Sequence, residues 1–395
     1  MTILVLSTCA FCVIATVLHL ASIATVLQRV RRSDAEVNGG ETLEGISIIR
    51  PVCGVENFSE ETLLSGFHLD YPRYELLFCA AQSCDPVVPL LRRLIELHPH
   101  VPARLLIGNE CISANPKLNN VVKGWVAASH PWIVMADSNV LMPPDYLHRL
   151  LGTWRPDTAL VSSPAIGCAP GNMWAELECA FLNTYQARWQ CFGDSIGMGF
   201  AQGKTMLFRR DLLKSAGGIR ALAFEAAEDA AATKLVRKTG LRVRVVDRPF
   251  PQPLGQRTAA EVWRRQLRWA RLRRHTFRIY FLPEIAAGAV PPLAAYAILA
   301  ASSDWPLADV LTAFGVIWYG AEAILAYAAG WHLSWRSPLL WLLRDLLLPV
   351  LWSASWLGNG FVWRGWIASR DCSARRTWDH WCASIPTTFA TSRAR

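Results

Sequence analysis

Charge is scarce in this chain: Asp, Glu, Lys and Arg make up 18% of its 395 residues, against 52% apolar ones. The length exceeds what one compact core usually needs, and the balance fits one soluble domain plus membrane segments. The eleven cysteines show no repeated metal-ligand spacing, which removes a zinc-ribbon type of centre. Most lie in apolar surroundings such as Leu77-Phe78-Cys79-Ala80 and read as reduced, buried thiols. Cys9 and Cys12 form a C-x-x-C, but inside an uninterrupted apolar run where redox partners have no access, so they read as helix packing. No repeat or low-complexity tract is present. The amino terminus also lacks the basic start and small-residue cleavage site of an export signal.

The charge that is present leans one way, to a net +9, and gathers beside apolar runs, as in Gln28-Arg29-Val30-Arg31-Arg32 and Arg271-Leu272-Arg273-Arg274. That placement favours anionic lipid headgroups over nucleic acid. Most of the eighteen tryptophans follow residue 304, where amphipathic rings suit a bilayer surface. From Thr2 to Leu27 only His19 and small hydroxyl residues interrupt the hydrophobicity, and about 20 helical residues cross a hydrocarbon core. Residues 1–30 therefore read as a transmembrane anchor. The arginines after it put the next stretch of chain in the cytosol by the positive-inside rule.

A linker over 31–45 leads into residues 46–278, which alternate short β-branched runs with helical patterns. This is the rhythm of an α/β domain with a mainly parallel sheet. Ile46 to Pro51, Tyr74 to Ala80, Arg104 to Ile107 and Trp132 to Ala136 read as its first four strands. Residues 279–366 turn apolar again, with candidate spans near Phe281 to Ala301, Leu307 to Ala328 and Leu339 to Gly360. Pro283, Pro291 and Pro292 make the first irregular. Arg344 and Asp345 in the last are costly in lipid and either pair, face protein or mark an interfacial segment. The tail, 367–395, is polar and basic.

Three aspartates fall just beyond apolar runs or in a turn: Asp85 after the second strand, Asp137 after the fourth, and Asp229 in Glu228-Asp229. A carboxylate past a buried strand is rigid yet reaches the crevice where α/β proteins collect ligands, and it suits a divalent cation bridging two phosphates. For any one of them taken alone, helix capping or a turn is the better explanation; together with the next motif the balance reverses. Arg265-Gln266-Leu267-Arg268-Trp269 has the spacing R-x-x-R-W, which on a helix aims two guanidinium groups at one anion, with Trp269 as a rigid wall. Taken alone it also describes a basic helix docking on phospholipid.

In this order, Asp85, Asp137-Ser138-Asn139, Glu228-Asp229 and R-x-x-R-W resemble the motifs of the ceramide glucosyltransferase family. So do Arg50 to Glu56, Leu69 to Glu75, Asn115-Pro116-Lys117-Leu118-Asn119-Asn120 and Trp363-Arg364-Gly365. The resemblance spans nearly the whole chain. It implies a GT-A fold, an inverting mechanism, a UDP-sugar donor such as UDP-glucose, a divalent metal (Mg²⁺ or Mn²⁺) and a lipid acceptor. It makes Asp85 a donor-nucleotide contact, Asp137 the metal-linked carboxylate and Asp229 the catalytic base, with Arg265, Arg268 and Trp269 around the diphosphate. Glu56, Lys117, Asn120 and Asn139 join the nucleotide side, and Gln202-Gly203 resembles the acceptor-side turn.

Two departures stand out. Asp137-Ser138-Asn139 offers one carboxylate rather than two, and Gln186 stands where the animal ceramide enzymes carry histidine. Ceramide is thus the first expectation for the acceptor, with diacylglycerol and a hopanoid polyol as alternatives. A polysaccharide-extruding enzyme would need more spans, and a non-catalytic membrane scaffold would not need these acidic and basic residues. Composition leans to a bacterial cytoplasmic membrane.

Overall fold

A computed structural model describes residues 2–35, 44–303, 305–358 and two short paired strands, Val362–Trp363 and Trp366–Ile367. Most of the linker, Arg364 and Gly365 of the last motif, and the tail from 368 lie outside the described residues.

The main sheet has seven strands. The strands, with a further pair, run β1 (Ile46–Val52), β2 (Tyr74–Ala80), β3 (Ala103–Ile107), β4 (Trp132–Ala136), β5 (Thr158–Ser163), β6 (Ala165–Pro170), β7 (Thr205–Arg209), β8 (Arg242–Val245) and β9 (Phe250–Gly255). Their order in the main sheet is β3-β2-β1-β4-β7-β5-β8, while β6 and β9 pair separately. β1 to β4 are parallel, as their largely apolar runs led us to expect, because such strands are covered on both faces. On one face of the sheet, Leu118, Val121 and Val122 of the helix Pro116–Ala127 pack on Ile49 and Leu77. On the other, Leu91 and Leu94 of the helix Val87–Leu97 meet Leu76 and Phe78.

The sheet is mixed rather than parallel throughout, and the exception matters for function. β7 lies antiparallel between β4 and β5, with Ala136 opposite Thr205. An antiparallel neighbour begins where its partner ends, so Gly203 and Lys204 arrive beside the carboxyl end of β4. The bond from the Asp137 amide to the Lys204 carbonyl, 3.0 Å, closes that junction.

Among the described residues, three helices are long and apolar enough to cross a membrane: Thr2–Ala35, Leu307–Ala328 and Ser337–Trp356. A fourth span is formed if Arg278–Ala286 and Val290–Ala301, bent by 44°, act together. Pro291 and Pro292 open the second of that pair, where a missing N–H costs least. Arg344 and Asp345 turn out to pair inside protein: Arg344 Nε meets Asp345 Oδ1 at 2.9 Å, and its two Nη groups meet Glu322 of the preceding helix at 3.0 and 2.9 Å. Cys12 packs against Ala295 and Leu299, as helix packing requires, while Cys9 is exposed. Cys79, Cys179 and Cys191 are buried free thiols; Cys111 departs from the expectation and is disulfide-bonded.

Candidate active site

The carboxyl ends of β1, β2 and β4 and the start of β7 open on one side, and the polar residues gather there. Lys117, in the first turn of its helix, is placed by Asn115, whose Oδ1 caps the helix by accepting from the Lys117 and Leu118 amides at 3.0 and 3.3 Å. Its ammonium meets Asp137 Oδ1 at 2.7 Å and Glu228 Oε1 at 2.6 Å, and donates to the Gly203 carbonyl. Burial opposes the charge on Lys117, but Asp137 and Glu228 outweigh it and raise its pKa. Asp137 is engaged twice, since Lys204 Nζ lies 3.0 Å from its Oδ2. Burial works against this carboxylate, yet the two ammonium groups hold its pKa well below the ordinary range.

Asp229 stands in the first turn of the helix Glu228–Lys238, where its Oδ2 accepts from the Gly203 amide at 2.8 Å and its Oδ1 from the Ala230 amide at 2.7 Å. Two N–H donors and a helix N-terminus favour a carboxylate. Burial nonetheless dominates and, with the charge of Glu228, pushes its pKa up to about 6. Gly203 leaves room for the ion pair: a Cβ there would lie 2.6 Å from Glu228 Oε1 and 3.0 Å from Lys117 Nζ and would displace these side-chain ends.

The arginine motif lies on the helix Ala259–Thr276, begun by a Thr258/Glu261 capping box. Arg265 donates to Glu178, a fully buried carboxylate that also accepts from Arg257 Nε at 3.2 Å. Burial lowers the Lys204 pKa, Asp137 opposes that, and the positive charge of Arg265 adds to it, so Arg265 borders the same cluster. Trp269 packs on the apolar cluster of Ala165, Ala175, Cys179, Leu182 and Leu254.

Other expected residues occupy adjoining ground. Asp85 clamps the turn after β1: its Oδ1 and Oδ2 accept from the Gly54 amide at 2.9 and 3.1 Å, and Oδ1 also accepts from the Val87 amide at 3.0 Å. Asn120 is buried and ties the ends of β1 and β2 together, donating to the Cys79 carbonyl at 2.5 Å and the Val52 carbonyl at 3.4 Å. Glu56 is half-buried in the turn after β1, its amide bonded to Ser59 Oγ at 2.7 Å. Asn139 Oδ1 accepts from Lys204 at 3.1 Å. Gln186, in the π-helical turn Leu182–Ala187, donates to Gln266 Oε1 at 2.9 Å.

Sequence reasoning assigned no role to three residues. Lys204 carried no signal beyond a glycine before it. Glu178 is one of two acids in the otherwise apolar helix Met173–Phe181, and a buried acid in such a setting announces a cation partner. Arg50, also buried, donates to the carbonyls of Asp137, Ser138 and Val140 at 3.2, 3.1 and 3.0 Å and so holds the turn that presents Asp137.

The resemblance implies a divalent cation at Asp137, and the residues present fit one poorly. Both carboxylate oxygens face ammonium groups, the oxygen of Asn139 is bonded to one of them, and among the described residues no three His, Cys, Asp or Glu side chains are grouped to hold a metal.

The strand ends of this α/β sheet thus gather a half-buried aspartate, paired lysines and an arginine helix, beside helices of membrane-crossing length. The chain belongs to glycosyl transferase family 21, whose model matches residues 8–370. It is 26% identical over 377 residues to ceramide glucosyltransferase 1 of Caenorhabditis elegans, covering 89% of this chain and 77% of that protein. It is 37% identical to the ceramide glucosyltransferase of Komagataella phaffii over 102 residues, 25% of this chain and 20% of the other. Among solved structures, a mannosyltransferase from Pyrobaculum calidifontis in complex with GDP-Man and Mn²⁺ is similar with a TM-score of 0.49 and 19% identity, over 89% of this chain and 98% of that one.

Proposed function

We propose that this protein moves glucose, or another hexose, from a UDP-sugar to a hydroxyl of a membrane lipid, with inversion at the anomeric carbon. The observation that carries the reading is Asp229: a carboxylate made more basic by burial, held by the Gly203 and Ala230 amides and joined through Glu228 and Lys117 to Asp137. Inversion takes one displacement. The acceptor oxygen bonds to the anomeric carbon, its proton passes to Asp229, and the bond to the β-phosphate oxygen breaks with its electron pair leaving on UDP. Arg265, oriented by Glu178, and Arg268 would face the diphosphate, and Trp269 holds their helix against the domain.

Apolar helices on both sides of the catalytic segment support a lipid acceptor, and the arginines after the first helix support a cytosolic active site in a bacterial cytoplasmic membrane. Ceramide is the acceptor favoured by the family's relatives. One observation keeps diacylglycerol or a hopanoid polyol in view, namely that Gln186 pairs with Gln266 where the animal ceramide enzymes carry histidine. The test is UDP release by purified protein given UDP-glucose and each lipid in turn. Turnover with one lipid, abolished in Asp229→Asn, supports the reading; no turnover with any lipid defeats it in favour of a scaffold.

A further inference from the structure

We infer that Lys204 contacts the diphosphate of the donor and supplies the positive charge for which a divalent cation was expected, so that transfer proceeds without a resident metal. The inference rests on the nucleotide-sugar reading above and goes beyond it, since neither the motifs nor the resemblance gave Lys204 a role.

A lysine ammonium has three N–H donors. Those of Lys117 have three partners, Asp137, Glu228 and the Gly203 carbonyl. Lys117 is therefore a strut holding two carboxylates together. Lys204 has two partners among the described residues, Asp137 Oδ2 at 3.0 Å and Asn139 Oδ1 at 3.1 Å, which leaves one N–H for an incoming oxygen. Its position is also set by backbone, because the Lys204 carbonyl bonds the Asp137 amide at the junction of β4 and β7. Lysine binds phosphate as a compact point charge, and the charge of Arg265, a second cation with the same preference, is felt at this one.

The same geometry opposes a cation on Asp137. A divalent ion bonded to either carboxylate oxygen would lie close to two ammonium groups, and the next residues, Ser138 and Asn139, add no second negative ligand. During transfer Lys204 gives up no proton. It stays an ammonium while the anomeric carbon exchanges its bond to the β-phosphate oxygen for one to the acceptor oxygen, and the acceptor's proton goes to Asp229.

The experiment is calorimetric titration of UDP into the purified full chain in detergent, once with EDTA and once with Mn²⁺. We expect UDP to bind in EDTA with a Kd within about threefold of that in Mn²⁺. In Lys204→Met, binding should weaken on the order of tenfold or more and glucose transfer should fall roughly a hundredfold, with no rescue by Mn²⁺. Binding that appears only with Mn²⁺ or Mg²⁺ overturns the inference, as does a Lys204→Met protein that binds UDP like the parent. The chelation arm needs no variant, so misfolding cannot obscure it. Absence of UDP binding under both conditions is a different failure, removing the nucleotide-sugar reading itself and this inference with it.

Discussion

A surface aspartate is almost fully ionised at neutral pH and accepts protons weakly, whereas Asp229 has its pKa raised to about 6, first by burial and then by Glu228. As the proposed base it must be ionised to act, so transfer should hold steady above pH 7 and fall as the pH drops through about 6, tenfold per unit below it. A pH profile of kcat/KM with the donor limiting checks this, and a profile flat down to about pH 4.5 would show that another group accepts the proton. Gly203 makes a second residue-scale prediction. A methyl group there collides with Glu228 and Lys117 and presses toward Asp229 Oδ2, 3.5 Å away. Gly203→Ala should therefore lower kcat on the order of tenfold to a hundredfold by misplacing the base, while thermal unfolding shows the fold intact. Equal activity in the two proteins would mean that the cluster relaxes without consequence.

The elements that position these residues were unequally legible. β2 and β4 match their expected bounds because a continuous apolar run bounded by turns has few other solutions. β7 is also apolar, but its place between β4 and β5 depends on a partner far along the chain, which no local pattern encodes. Lys204 was hidden for that reason. Asp137, Lys117 and Asp229 were legible as types at strand and helix ends, yet their mutual pairing was not, since it depends on Gly203 approaching through the antiparallel junction. The membrane helices pose the converse case. Arg344 and Asp345 looked costly in a span, and the solution is Glu322 one helix earlier, together with the Thr184 hydroxyl at 2.6 Å and Tyr319 on Asp345 at 3.2 Å. Removing the Glu322 charge leaves buried Arg344 with Asp345 alone and takes from buried Arg188 the ion pair it makes at 3.7 Å. Glu322→Gln should thus destabilise the protein by ~3–5 kcal/mol, read as a lowered midpoint of thermal unfolding in detergent. Glu322→Gln with an unchanged midpoint would indicate that water or lipid reaches Arg344.

At the scale of the whole molecule, the amino-terminal helix is more than a tether. Its 34 residues span about 51 Å, well beyond a hydrocarbon core of about 30 Å, so it is longer than one crossing needs. In its last turns Arg29 Nη2 meets Asp194 Oδ2 at 2.6 Å and Nη1 donates to the Val245 carbonyl of β8 at 3.1 Å, both in largely buried surroundings. Within the span, His19 stacks on Trp318 with ring centroids 3.7 Å apart and bonds Arg188 of the catalytic segment at 2.7 Å. One helix thereby holds the edge of the sheet and the helix Leu307–Ala328 in a common frame, and we expect that frame to set the height of the site over a bilayer. A tether would tolerate replacement by any apolar helix; a frame member would not. Arg29→Ala and Asp194→Ala should each lower stability, and the double variant should lose less than their sum, with a coupling of about 1.5–3 kcal/mol between them. Lipid glycosylation should fall in both single variants more steeply than hydrolysis of the donor by water, because only the lipid reaction depends on the distance from base to membrane. If the two losses simply add and both reactions fall together, the helix is an anchor after all, and the height of the site is set by the carboxyl-terminal helices alone.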